Sequence, residues 1–226
     1  MRKGALVAVL VFASSCGWVG ASPEPSTPVG RVPAGWQVLT RNVPVQIGDV
    51  SKSIPTGFAI ALPPGWEEVD PARPVQDMRN LVPSASPVVT PTPGPSSSNV
   101  YLIASSSDLS HGQGLSTSIQ VSKQHYLGGD LTTDEMTTSM QRYRERTINA
   151  HVVLSKHVQL NGLDFAYLQM RHDAQLPGAD RETYSSVQYI YVKDREVYII
   201  EFTCLFDRTT ELLPLFESIA LTFEII

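Results

Sequence analysis

Alternating apolar and polar residues mark most of the chain from about Pro33 onward. This period of two is typical of strands that bury one face. In the first half of the domain, it predicts strands or extended segments at residues 36–49, 58–62, 99–105 and 116–124. Pro63 and Pro64 end the second of these segments, and Trp66 after the turn is expected to pack against the sheet edge.

Two hairpins are predicted in the C-terminal half. Residues 151–160 and 163–172 alternate on either side of Asn161-Gly162, a strong two-residue hairpin signal. Residues 185–193 and 196–206 flank Asp194-Arg195 in the same way. Strands joined by such short turns must pair antiparallel.

A period near 3.6 replaces the alternation in two places. Thr132 and Glu135 form a capping-box pattern before a helix predicted at residues 133–149. Its inward stripe is expected to be Met136, Met140, Tyr143 and Thr147, and its solvated face is expected to be Gln141, Arg142, Arg144, Glu145 and Arg146. A short helix near the C-terminus carries Leu212, Leu215, Phe216 and Ile219 at helical spacing, with Pro214 acceptable if the helix begins near Thr210.

These elements predict an α+β domain: a largely antiparallel sheet packed with one long and one short helix. The domain is expected to span residues 34–226, a length that can bury a substantial core. Residues 82–98 contain five prolines among serines and threonines, so we predict an exposed loop within the domain.

The N-terminus has the pattern of an export signal. Arg2 and Lys3 precede an apolar run from Ala5 to Ala13, which is too short to span a bilayer. Small residues then precede Cys16, an arrangement that resembles the lipobox of bacterial lipoproteins. The resemblance implies cleavage after residue 15 and lipid attachment to the Cys16 sulfur. The alternative is an ordinary signal cleaved nearby, for instance after Ala21.

The Pro- and Ser-rich residues 16–33 fit a tether between the anchor and the domain. The 17 basic residues less Arg2 and Lys3 leave 15 against 22 acidic ones, a formal charge of −7 after cleavage. This acidity argues against nucleic acid as a partner. The membrane is therefore expected to be reached through the lipid at Cys16 on the extracytoplasmic side of a cell membrane or outer membrane.

No residue cluster in the sequence specifies a reaction. The motifs G-x-S-x-G, H-E-x-x-H and C-x-x-C are absent, and His111 is followed by Gly112 and Gly114 in a predicted connection. Cys204 shares a strand face with large apolar residues, which predicts a buried and inert thiol. We therefore expect no catalytic residues, no metal and no cofactor.

The tyrosines of the second hairpin are the candidate docking residues. Tyr189 and Tyr191 share one strand face, opposite Gln188, Ile190 and Val192. If no helix covers that face, the two rings form an aromatic docking surface. Burial in the core is the alternative.

Several motifs together resemble the PsbP-like fold, which also occurs in DcrB-type periplasmic proteins and in lipoproteins of the LpqN/LpqT type. The resemblance rests on LPPGWEEV, on YIYVKDREVYIIEFTC and on LLPLFESIALTF, in which Phe216, Ile219, Thr222 and Phe223 match the closing pattern. It covers residues 55–226 and implies a non-enzymatic module that docks onto an envelope protein partner.

Two other functions remain open at this stage. A carrier or sensor of a small apolar ligand would hold it in a groove between sheet and helix, lined by residues such as Met136, Met140 and Phe202. A hydrolase would require His, Asp and Ser side chains that converge in space.

Overall fold

A computed structural model describes residues 32–42, 57–69, 98–106, 117–126, 131–175, 181–193 and 195–226. The predicted signal at 1–15, Cys16, the tether as far as residue 31, the Pro-rich loop at 82–97 and His111 lie outside these residues. The strands are β1 Gln37–Arg41, β2 Phe58–Leu62, β3 Trp66–Glu68, β4 Ser98–Ser106, β5 Thr117–His125, β6 His151–Leu160, β7 Leu163–Gln175, β8 Arg181–Lys193, β9 Glu196–Leu205 and β10 Glu224–Ile225. The helices are α1 Thr133–Ile148 and α2 Thr209–Ala220, the latter preceded by a 3₁₀ turn at Phe206–Arg208.

The strands form two sheets. A seven-stranded sheet has the order β3-β4-β5-β9-β8-β7-β6, and a three-stranded sheet has the order β1-β2-β10. Every strand pair among the described residues is antiparallel. The predicted α+β class, with one long and one short helix, is confirmed.

The two faces of the large sheet carry different layers. Because side chains alternate along a strand, Ile199 and Ile200 of β9 point to opposite faces. Ile199 packs with Met136 of α1, whereas Ile200 belongs to the main core with Phe216 of α2 and Ile60 of the small sheet. Helix α1 therefore covers one face, and α2 with the small sheet covers the other.

Both predicted hairpins are present. Asn161 and Gly162 adopt left-handed φ values of 54° and 79°, and β6 and β7 pair on either side of them. Arg195 has φ 68° at the turn between β8 and β9. In the first turn the Asn161 amide also donates to the Leu221 carbonyl at 2.6 Å, so the hairpin is tied to the end of the chain.

Helix α1 begins as its sequence predicts. The Thr132 hydroxyl accepts from the Glu135 amide at 3.2 Å, and the Glu135 carboxylate accepts from the Thr132 amide at 2.9 Å. These hydrogen bonds hold the pKa of the exposed Glu135 carboxyl below its usual value, the one from the Thr132 backbone most strongly. Asn149 ends the helix in the left-handed conformation.

The C-terminal segment is built into the core. Thr222 accepts a hydrogen bond from the Ala61 amide at 2.8 Å, and residues 57 and 226 exchange two backbone hydrogen bonds. Phe216, Ile219, Thr222 and Phe223 are all buried, so the closing pattern is a packing motif. Pro214 lies beyond the first turn, because α2 already begins at Thr209. Pro214 is exposed, and its lack of an N–H removes one hydrogen bond from this helix.

Candidate functional site

The inward stripe of α1 differs from the predicted one. Met136 is buried and Met140 half-buried, as expected, but Tyr143 and Thr147 are exposed. Arg144, predicted to be on the solvated face, instead turns to the sheet and donates to Glu201 of β9 at 2.7 Å. Because Glu201 lies 57 residues later in the chain, the local sequence around α1 could not show that Arg144, and not its neighbour Tyr143, faces the sheet.

The outward side of α1 borders a broad, open space of about 700 Å³. The described residues that line it all belong to this helix: Asp134, Glu135, Thr138, Ser139, Arg142, Tyr143, Arg146 and Thr147. Tyr143 is 59% exposed. Arg142 directly precedes it in the sequence, and Arg146 follows about one helical turn later. We call this surface the α1 outer face. Tyrosine and arginine are among the residue types enriched where protein interfaces gain most of their affinity.

The outer face also has an electrostatic polarity. Asp134 and Glu135 occupy the first turn of α1, and Arg146 occupies the last. Each charge complements the helix dipole at its own end. A partner therefore meets carboxylates at one end of the face and guanidinium groups at the other. The sequence did contain a signal for this surface, namely a tyrosine flanked by charged residues in QRYRER.

The docking surface predicted at Tyr189 and Tyr191 is corrected by the structure. Tyr189 is 3% exposed, and its ring meets those of Tyr167 and Phe202 edge-on at 5.4 and 6.1 Å. Tyr191 is half-buried and lies 5.1 Å from the Phe165 ring. The face that carries both tyrosines is covered, because α2 and the small sheet pack on it. Burial also raises the pKa of the Tyr189 hydroxyl far above its usual value.

Met136, Met140 and Phe202 do not form the apolar groove that the alternative function, a ligand carrier, would need. Met136 and Met140 pack on the α1 face of the sheet, whereas Phe202 points to the opposite face. There Phe202 stacks on Phe216 of α2, with ring centroids 4.6 Å apart. The three residues cannot line one cavity, because the sheet separates them.

The Cys204 thiol lies where the strand pattern placed it. It is 1% exposed, and burial raises the pKa of the thiol. Its sulfur is 3.8 Å from the Thr209 hydroxyl. In the described part of the chain, no three or more His, Cys, Asp or Glu side chains are grouped to hold a metal ion. Nor does any helix among those residues have the length and apolarity needed to cross a membrane.

Comparisons with known proteins give structural similarities only. No family model matches the chain, and no curated protein matches it. The cyanobacterial PsbP protein CyanoP from Synechocystis sp. PCC 6803 is 16% identical, with a TM-score of 0.49 over 94% of this chain and 98% of its own. LpqN, a Mycobacterium tuberculosis protein involved in cell envelope biogenesis, is 12% identical, with a TM-score of 0.44 over 83% of this chain and 91% of its own. PA94 from Pseudomonas aeruginosa, a protein of unknown function, is 12% identical, with a TM-score of 0.42 over 61% of this chain and 83% of its own.

Proposed function

We propose that this chain is a cell-envelope lipoprotein, anchored through Cys16, whose PsbP-like domain docks a protein partner without catalysing a reaction. The basic and apolar N-terminal pattern before Cys16 supports export and lipidation. The Pro-rich residues up to 33 supply the reach that an anchored domain needs. The acidic overall charge is compatible with a lipid anchor and opposes attraction to anionic lipid.

The exposed Tyr143 on α1 is the observation that carries the docking proposal. An aromatic side chain that is 59% exposed contributes little to the fold. Within an interface, however, a tyrosine ring adds a large contact area at a small cost in side-chain entropy. Arg142 and Arg146 beside it supply donors for the carboxylates of a partner.

The chemistry of the outer face defines the partner. We propose a protein that presents carboxylates to Arg142 and Arg146 and an apolar pocket to the Tyr143 ring. The chain carries a net negative charge, but these two arginines place positive charge on the outer face, where it can orient an acidic partner. Such an interaction weakens as the salt concentration rises.

The experiment is photo-crosslinking in intact cells with benzoyl-phenylalanine at position 143. Position 126 provides the matched control, because Tyr126 is also an exposed tyrosine and lies outside α1. We expect an adduct of one defined mass from position 143 and none from position 126. Charge reversal by Arg142→Glu and Arg146→Glu should reduce that adduct.

Equal adducts from positions 143 and 126, or an adduct indifferent to charge reversal, would refute docking through the outer face. The anchor is tested separately in the same cells. Cys16→Ser should release the protein from the membrane fraction, and retention of this variant would contradict lipidation.

A further inference from the structure

The face of the large sheet that α1 covers has an apolar part and a polar part. Toward the start of the helix, Met136 packs on Ile190 and Ile199. Further along the helix, the contact with the sheet is the ion pair between Arg144 and Glu201. A polar layer therefore lies beside the apolar cluster, beneath the same helix.

Strand register places Gln188 of β8 in this polar layer. Its cross-strand partners are Glu201 on β9 and Leu168 on β7. Residues directly opposite each other in a sheet share a face, so the Gln188 side chain lies beside the carboxylate that Arg144 binds. Ser186, two positions earlier on β8, shares this face, and its hydroxyl donates to Glu201 at 2.7 Å.

The Gln188 amide is buried without a hydrogen-bond partner. Gln188 is 0% exposed, and neither its Nε2 nor its Oε1 atom is hydrogen-bonded within the described part of the chain. Leu168 and Ile190, its neighbours on the same face, are also fully buried. An amide in this position is costly, because it loses its hydrogen bonds to water and gains none from the protein.

Two further side chains bring unused polar atoms to the layer. Arg144 binds Glu201 through Nη2, whereas its buried Nε atom has no partner among the described residues. The buried Nδ1 atom of His172 is unpaired in the same sense. His172 shares the face of Leu168 on β7, and its ring stacks on Tyr184 with centroids 6.1 Å apart. Burial, and then the positive charge of Arg144, lower the pKa of His172, so its ring is neutral at neutral pH.

We propose that the interface between α1 and the sheet binds internal water, held by Gln188, Arg144 and His172. The unpaired atoms include donors, the Gln188 amide N–H groups and the Arg144 Nε–H, and an acceptor, Gln188 Oε1. An anion could use only the donors and a cation only the acceptor, whereas water both donates and accepts. A buried water molecule typically makes about three hydrogen bonds to groups of this kind. This site lies beneath α1 and is independent of docking on the α1 outer face.

The test is detection of this water by NMR in the full-length protein, kept in neutral detergent. The signals are cross-peaks between water and the side-chain N–H protons of Gln188 and Arg144. A bound water molecule gives cross-peaks of opposite sign in laboratory-frame and rotating-frame NOE spectra, whereas proton exchange gives the same sign in both. We expect opposite signs at both side chains. Missing cross-peaks, or cross-peaks of the same sign in both spectra, would overturn the proposal.

Gln159 is the matched control, because its amide is exposed and donates to Asp164 at 3.2 Å. It should lack the signature of bound water, and equal cross-peaks at Gln159 and Gln188 would contradict a specific internal site. Ser186→Ala removes a nearby hydroxyl whose exchanging proton could imitate water. The cross-peaks at Gln188 should persist in this variant, and their loss would assign them to the hydroxyl and overturn the internal water.

Discussion

Arg144 of α1 and Glu201 of β9 join the helix to the sheet through an ion pair of 2.7 Å. The other oxygen of the Glu201 carboxylate accepts from the Ser186 hydroxyl of β8, also at 2.7 Å. The helix and two neighbouring strands, β8 and β9, are thereby connected through one carboxylate. The pair also decides which side of α1 meets solvent, because it directs Arg144 inward.

Removing one member of this pair should destabilise the protein. Arg144→Leu leaves Glu201 largely buried with a single hydroxyl donor, and we expect a loss of about 2–3 kcal/mol in the free energy of unfolding. Urea unfolding followed by circular dichroism measures it. Arg144→Leu combined with Glu201→Leu should recover part of the loss, whereas strictly additive losses would show that the two side chains are not coupled.

The turn between β6 and β7 should depend on a side-chain donor as well as on backbone conformation. The Asn161 amide donates to the carbonyls of Leu221 and Phe223, at 2.6 and 3.1 Å. Asn161→Asp keeps the size and tolerates the left-handed backbone but replaces the donor with an acceptor. We expect a loss of about 1–2 kcal/mol. Asn161→Gly keeps a residue that adopts the left-handed backbone easily but removes the side-chain amide, so it should also destabilise the protein. A wild-type unfolding midpoint in both variants would contradict the role of the amide.

His157 connects α1 to the first hairpin, and it should make the free energy of unfolding depend on pH. Its ring nitrogens lie 2.8 Å from Asp134 and 3.2 Å from Asp164. The hydrogen bond to Asp134, followed by that to Asp164, raises the pKa of His157 above 6.5. The protonated ring therefore stabilises the folded state fully below pH 6.5, and this contribution is lost as the pH rises through the higher folded pKa.

The measurement is the urea midpoint of the wild type and of His157→Gln across this pH range. The difference between the two proteins should be largest below pH 6.5 and should shrink as the pH rises above that value. It should also diminish in high salt, because the site is exposed. A difference that grows with pH would reverse the sign and contradict the ion pairs.

Counting the free thiols of the two cysteines tests both the lipidation of Cys16 and the burial of Cys204. Cys204 is buried, and burial raises the pKa of its thiol. A thiol reagent should therefore not react with the native protein extracted from membranes. After denaturation it should detect one thiol per chain, from Cys204, because lipid occupies the Cys16 sulfur. Detection of two thiols would contradict lipidation, and reaction before unfolding would contradict the burial of Cys204.

Local patterns in the sequence were sufficient for the elements whose geometry is set by adjacent residues. Asn161-Gly162 supports a left-handed turn, and Thr132 with Glu135 closes a capping box, so one hairpin and the start of α1 were predictable. The alternation along β9 likewise placed Cys204 in the core. In the capping box the deciding hydrogen bonds connect residues three positions apart.

Contacts between distant segments decided the remainder. Tyr189 is buried because α2 returns to cover its face, and no local pattern gives the side of the sheet on which a helix packs. Arg144 faces the sheet because Glu201, 57 residues later, accepts its hydrogen bond.

A crosslinking map of the exposed surface tests the docking proposal most directly. Benzoyl-phenylalanine would be placed, one site at a time, at residues 139, 143 and 146 on the α1 outer face and at the exposed residues Tyr126, Val153 and Leu221 elsewhere. At equal incorporation in intact cells, we predict that one partner adduct forms at the three α1 positions and at none of the others. An adduct centred on Val153 would instead assign docking to the β6 edge of the large sheet and contradict the account.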